Sequence, residues 1–261
     1  MIVQRGKHFI HYETHGDAAK PPLLLIMGLA ISSKGWDRLP SLLAPDFHVV
    51  VFDNRGTGRS SRRGWIYRMR DLADDAAAVL DALGIARADV FGISMGGMVA
   101  QELVLRHPSH VRRLALGATF ASYRRGHRAS PADLLRLFAG TLMLRREQTL
   151  AKLLTSKAWH AQNRARAVQW IHDAENTAFR FAFAQSMAIA RHHTLGRLSQ
   201  VTAPTLIITG DQDRVVPHRN SEVLAQAIPG AKLVVLPGAG HVFPLEREPE
   251  TIAALKQHFS A

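Results

Sequence analysis

The sequence predicts an α/β fold on a mostly parallel, doubly wound sheet, and three observations carry that expectation. Short apolar runs alternate with longer stretches at helical period. The runs barely alternate in polarity, as strands buried on both faces do. The rhythm breaks only once, between Phe120 and Val201. With 261 residues and 47% hydrophobic composition the chain can bury a sizeable core, so one large core carrying an insertion is expected.

Taken in order, Ile2–Arg5 and His8–Thr14 read as an antiparallel hairpin at one edge. Leu23–Met27 and His48–Phe52 follow as buried strands. Leu72, Ala76, Val79, Leu80 and Leu83 recur at helical spacing, and Gly84 supplies the stop. Ala88–Ile93 is the next strand, and the helix from Met98 to Arg106 is ended by Pro108. Arg113–Leu116, Thr205–Thr209 and Lys232–Leu236 complete the strands. Residues 121–198 are helical throughout by pattern and are expected to be inserted in a core made of 1–120 and 199–261. The insertion's aromatics include Phe138, Trp159, Trp170, Phe179, Phe181 and Phe183. Phe179, Phe183 and Met187 share one helical face, which must pack on a sheet edge or over a pocket.

The formal charge is +12, and 26 of the 33 basic residues are arginine. The stretch from Ala121 to Leu198 holds 13 Lys and Arg against Asp133, Glu147, Asp173 and Glu175, so most of the excess sits in the insertion. A solvated Arg-rich surface is the plain reading, and an anionic substrate or acidic membrane surface the sharper one. No helix-turn-helix, zinc-finger or aromatic-basic pattern points to nucleic acid. The absence of cysteine excludes disulfides, thiolate metal sites and a Cys nucleophile. No apolar run is long enough to span a bilayer, and the N-terminal residues lack a secretory pattern, so a cytoplasmic enzyme is expected.

The strongest local signal is Gly92-Ile93-Ser94-Met95-Gly96, between a strand pattern and a helical one. So tight a turn strains the serine backbone and crowds the residues two positions either side, hence the glycines. It also lifts the hydroxyl above the sheet at a helix N-terminus, where negative charge is favoured. A serine needs a base. Of 14 histidines, His241 sits in a glycine-rich loop just past the strand Lys232–Leu236, where an open α/β sheet keeps its functional groups. His8, His48, His107, His172 and the pair His192–His193 read as surface or packing residues; no carboxylate near the pair has ligand spacing, so no metal is expected. The base needs a carboxylate, and two follow the strand Thr205–Thr209: Asp211 and Asp213, one of which caps the turn. The chain order Ser, Asp, His differs from the two familiar serine-protease orders.

With these residues in view, the sequence resembles the α/β-hydrolase superfamily over nearly its whole length. The family's acid pattern, a glycine, two residues, an aspartate and a proline four further on, matches Gly210, Asp213 and Pro217, and so selects Asp213 over Asp211. Gly240-His241 with Glu246 and Pro249 matches the family's catalytic-histidine segment, and Asp53 to Ser60 its loop after the fourth strand, to which no chemistry is assigned. The resemblance implies a triad of Ser94, Asp213 and His241, an oxyanion hole from the Leu29 and Met95 N–H groups, and a helical cap over 121–198. One departure is Met27-Gly28-Leu29, where the family commonly has His-Gly; the oxyanion donor there is a backbone N–H, so activity does not require the imidazole.

Serine at the elbow separates the chain from dehalogenases and epoxide hydrolases of this fold, which carry aspartate there. Met95 and Gly28-Leu29-Ala30 separate it from prolyl iminopeptidases. The expectation is a carboxylesterase acting on small, fairly apolar esters without cofactor. Alternatives are an enol-lactonase-type lactone hydrolase, a C–C bond hydrolase of dienoate ring-fission products, or a ligand receptor that keeps the triad but turns over slowly.

Overall fold

The computed structural model describes residues 1–64, 66–140, 146–174 and 177–260. Residues 141–145, Glu175 and the Phe138 side chain, all counted in the expected insertion, lie outside that description.

One eight-stranded sheet runs through the molecule: β1 (Ile2–Arg5), β2 (His8–His15), β3 (Pro22–Ile26), β4 (His48–Phe52), β5 (Ala88–Ile93), β6 (Val111–Gly117), β7 (Thr205–Gly210) and β8 (Lys232–Leu236), in the order β1-β2-β4-β3-β5-β6-β7-β8. β1 and β2 pair antiparallel, as do β2 and β4; every other pairing is parallel. Every residue of β4, β5 and β7 is buried, which is why these strands show no polar alternation.

Helices α1 (Leu39–Leu43), α2 (Met69–Ala82) and α3 (Met95–Arg106) connect the strands up to β6. Between β6 and β7 lie α4 (Pro131–Gly140), α5 (Arg146–Leu154), α6 (Lys157–Ala174) and α7 (Phe179–Ala190). α8 (Arg219–Ala227) joins β7 to β8, and α9 (Phe243–Glu246) and α10 (Glu248–Ser260) follow. Leu72 and Leu80 of α2, Val99 and Leu103 of α3 and Leu224 of α8 pack on one face of the sheet. Leu39 and Leu43 of α1 with Leu255 and Phe259 of α10 pack on the other. The sheet is thus covered on both sides. The chain runs from β3 to β4 on one side and then crosses back over β3 to β5 on the other, so the direction of winding reverses at β3 and the crevice outside the carboxyl ends of β3 and β5 is the natural place for a ligand.

The structure departs from the sequence expectation in three places. Residues 121–130 are turns and loop rather than helix, closed by a bridge between Ser122 and His193. There the Asn220 side chain holds both the N–H and the C=O of His127, and the Ser130 hydroxyl caps α4 by accepting the Asp133 N–H. α3 begins at Met95, three residues before the apolar pattern, because Gly96 and Gly97 are placed by steric demand against propensity. α6 kinks at Asn163, whose side-chain amide donates to the Trp159 carbonyl. Among the described residues no helix is long and apolar enough to cross a membrane.

Candidate active site

Ser94 stands on the turn from β5 into α3 with φ 56° and ψ −122°, outside the regions a serine ordinarily adopts. Such a conformation costs about 1–3 kcal/mol and persists only where its surroundings over-determine it. Here they do. The Ser94 N–H donates to Gly117 O (2.8 Å), and Ser94 O accepts the Thr119 hydroxyl (2.7 Å) and the Gly97 N–H (3.0 Å). A Cβ at Gly92 would run into the backbone of Gly96, and one at Gly96 into the Ile26 carbonyl. The hydroxyl is left facing a cavity.

His241 and Asp213 come from the loops after β8 and β7. Both are buried, and His241 Nδ1 lies 2.7 Å from Asp213 Oδ2. A carboxylate opposite Nδ1 holds the proton there and leaves Nε2 with its lone pair. Asp213 Oδ1 accepts the Val215 and Val216 N–H groups, each at 2.8 Å, so both carboxylate oxygens are occupied. Asp211 instead accepts the Gly238 N–H (2.7 Å) and ties β7 to the turn after β8. The two aspartates that compete in sequence therefore hold separate positions.

Glu246 is buried beneath the histidine loop. Its carboxylate accepts the Gly240 N–H (3.1 Å) and the Ser156 N–H (3.1 and 3.2 Å), and burial pushes its pKa up while those hydrogen bonds oppose the shift. The Val242 N–H donates to Leu154 O (3.2 Å). His241 is thus fastened to the junction of α5 and α6, a role the sequence pattern at Glu246 does not announce.

Gly28 packs directly on Ser94: a Cβ there would lie 3.2 Å from Ser94 Cβ and 3.6 Å from Oγ. Leu29 follows at once, and Met95 opens α3, where first-turn N–H groups lack helical partners. Neither the Leu29 nor the Met95 N–H donates a hydrogen bond within the described residues. Met27 is buried in the cavity wall, and its carbonyl accepts the Asn54 side-chain amide (3.0 Å). The position that commonly carries histidine is therefore an apolar wall.

Ser94 and His241 open into one cavity of about 360 Å³. Phe179, Phe183 and Met187 of α7, Leu150 and Leu154 of α5, and Trp170 and Ile171 of α6 line it opposite the strand ends. The predicted stripe on α7 so covers a pocket, with Phe179 and Phe183 about half exposed at its edge, their ring centroids 6.4 Å apart. Among the described lining residues, apart from the two indoles, the only polar side chains are Ser94, Ser186 and His241, and Ser186 donates to its own helix at Ala182 O (2.9 Å). No described lining residue is charged. Arg136, Arg166 and Arg197 pair instead with Asp133, Asp37 and Glu102. Among the described residues no group of three or more His, Cys, Asp or Glu is placed to hold a metal ion.

A model of the α/β hydrolase fold family matches residues 21–248. The chain is 33% identical over 245 residues to a putative carbamate hydrolase, RutD, of Pseudomonas syringae pv. syringae, covering 90% of this chain and 91% of that protein. It is 30% identical over 277 residues to the rhodomycin D methylesterase DauP of a Streptomyces species, covering 94% and 93%. The solved structure of Est816, named as an N-acyl homoserine lactone degrading enzyme, superposes with a TM-score of 0.85 at 28% identity, covering 98% and 99%. The chain belongs to the α/β-hydrolase family, and of these relatives two are named as a carbamate hydrolase and a methylesterase and the third as a lactone-degrading enzyme.

Proposed function

We propose that this α/β hydrolase is a serine carboxylesterase for small, uncharged, apolar esters, working through an acyl-enzyme on Ser94. The observation that carries the reading is the shared cavity: a strained elbow serine and an Nδ1-anchored histidine are the only reactive groups among the described residues of an otherwise apolar chamber.

In this mechanism Ser94 Oγ attacks the acyl carbon while His241 Nε2 takes its proton, and Asp213 stabilises the imidazolium that forms. The Leu29 and Met95 N–H groups hold the oxyanion, each such donor being worth about 10²–10³-fold in rate. The imidazolium then protonates the departing alkoxide. Water, deprotonated by the same nitrogen, attacks the acyl carbon and releases the acid and the serine. The segment 121–198 acts as the cap, inserted in a core of 1–120 and 199–261, with α5, α6 and α7 sizing the chamber.

The described lining is uncharged, which distinguishes between substrates. A dienoate or a carbamate anion would bury a carboxylate without a partner among the described residues, which costs several kcal/mol. A neutral lactone fits the chamber as an ester does, and the same groups open it without change; the likeness to Est816 favours it as the second reading. Steady-state hydrolysis of p-nitrophenyl esters from acetate to decanoate, with Ser94→Ala alongside and an N-acyl homoserine lactone as a further substrate, tests the proposal. Multiple turnovers lost in the variant support it. Equal rates in both proteins would sink it, and turnover of the lactone alone would move the substrate class to cyclic esters.

A further inference from the structure

The loop holding Leu29 is not secured by the sheet alone. Ala30 sits at φ 58°, in the left-handed region that alanine rarely adopts. Its N–H donates to Gln185 Oε1 at 2.9 Å, across 155 positions of sequence. Gln185 is fully buried on α7, and its amide group donates to Arg55 O (3.1 Å) and Thr57 Oγ1 (2.9 Å). One side chain therefore bolts the loop after β3 to the loop after β4.

The Arg55 loop is itself immobilised. The Arg55 guanidinium pairs with buried Asp75 of α2 (2.5 Å), and Asp53 accepts the Ser33 N–H (2.7 Å) and the Arg59 N–H (2.9 Å). Phe181, one turn before Gln185, packs against Gly56. The helix α7 is thus two-faced. Phe179, Ala182, Phe183, Ser186 and Met187 wall the cavity, while Phe181 and Gln185 grip the loops behind the nucleophile.

We infer that Gln185 is a positioning residue for the oxyanion hole: by holding Ala30 left-handed against a rigid loop, it aims the neighbouring Leu29 N–H at the reacting carbonyl. This rests on the reading of Leu29 as an oxyanion donor. It also means that the same helix touches the substrate and places the donor, so occupancy of the chamber and orientation of the hole are mechanically joined.

The test compares Gln185→Leu, which removes all three hydrogen bonds at similar volume, with Gln185→Glu, which keeps an acceptor for Ala30. Thr57→Val, which removes one anchor of Gln185 and touches no reacting group, guards against misfolding of the first variant. Rates are normalised to active-site titration. Gln185→Leu is expected to lower kcat about 10- to 10²-fold, less than outright loss of an oxyanion donor, with KM changed by under about threefold. Affinity for an alkylboronic acid, which forms a tetrahedral adduct, falls by the same factor, and affinity for the matching product alcohol does not. Gln185→Glu, which keeps the Ala30 acceptor but sets an oxygen against Arg55 O, recovers part of kcat, and Thr57→Val, which keeps the Ala30 contact, lies nearest the native rate. A merely structural role would lower thermal stability and leave kcat per titrated site unchanged; that result overturns the inference, as does loss of alcohol affinity in step with boronate affinity. Amide hydrogen exchange at Ala30 reads the anchor independently of ester turnover: faster exchange in Gln185→Leu supports it and unchanged exchange overturns it. A native chain inert toward every ester would instead count against the carboxylesterase reading.

Discussion

Replacing Asp213 by asparagine keeps the shape of the side chain but exchanges one carboxylate oxygen for an NH2 donor and removes the charge, and the surroundings of the side chain determine how the substitution acts. Oδ1 accepts two backbone N–H groups at 2.8 Å, from Val215 and Val216, while Oδ2 faces His241 Nδ1. An asparagine amide must keep its carbonyl oxygen toward the two N–H donors. The flipped orientation would forfeit both hydrogen bonds, at about 1 kcal/mol each, and leave the donors unsatisfied at about 1–3 kcal/mol apiece. The amide N–H therefore points at Nδ1, which must then accept. The proton moves to Nε2, and the imidazole can no longer take the serine proton. Loss of the correct tautomer by this substitution costs about 10⁴-fold in kcat in the serine-protease triad, or about 5 kcal/mol of barrier. Stability should hardly change, because the turn contacts survive. The assay is kcat for p-nitrophenyl butyrate per folded chain, beside Asp211→Asn, whose only described side-chain contact is with Gly238 and which should stay within about threefold of native. Retention of more than about one per cent of kcat by Asp213→Asn, or the large loss falling on Asp211→Asn, would refute the reasoning.

Three further predictions concern pH, pocket size and substrate charge. Burial holds the His192 imidazole neutral and pushes its pKa down to about 3, with Arg197 and His193 adding to the shift. Its contribution to stability is therefore complete above the unfolded value near 6.5 and is lost as pH falls toward 3, amounting to about 2 kcal/mol at pH 5. Urea unfolding at pH 7.5 and pH 5 should show the native chain losing about 2 kcal/mol more than His192→Gln; equal losses would contradict the assignment. Phe183→Ala should shift the acyl-length optimum to longer chains with little change in melting temperature, since the ring is half exposed at the cavity edge. An unchanged optimum would remove α7 from the specificity wall. A hexanoate ester bearing a terminal carboxylate should have kcat/KM at least about 10²-fold below its methyl-capped counterpart, because the described lining offers no cation. Equal efficiency would show that a positive group reaches the chamber.

The strands were legible because β4, β5 and β7 are buried on both faces and so read as unbroken apolar runs. Ser94 was legible as a candidate because the elbow forces glycine at 92 and 96, and His241 as a candidate because a strand delivers it into a glycine-rich turn. Asp213 and Asp211 were separable only through a resemblance. Their spacing alone does not say which side chain turns inward, and the deciding feature is a pair of backbone N–H groups two and three residues on. Gln185 left no local trace: a glutamine in a helix reads as a solvated residue, and its partners lie 155 and about 130 positions away. The charge of residues 121–198 agrees with its plain reading as a solvated surface. Arg136, Arg166 and Arg197 are paired on the surface, and the chamber behind them is apolar.

Everything in the proposed chemistry depends on an acyl group passing through Ser94. Acid quenching within milliseconds of mixing with p-nitrophenyl hexanoate, with intact and peptide mass measurement of the quenched protein, reads this directly. An acyl-enzyme on the elbow serine predicts one hexanoyl group per chain, carried on the peptide containing Ser94. It should appear with a stoichiometric burst of nitrophenol and be absent from Ser94→Ala. Turnover with the acyl group on another residue, or undiminished turnover in Ser94→Ala, would contradict it.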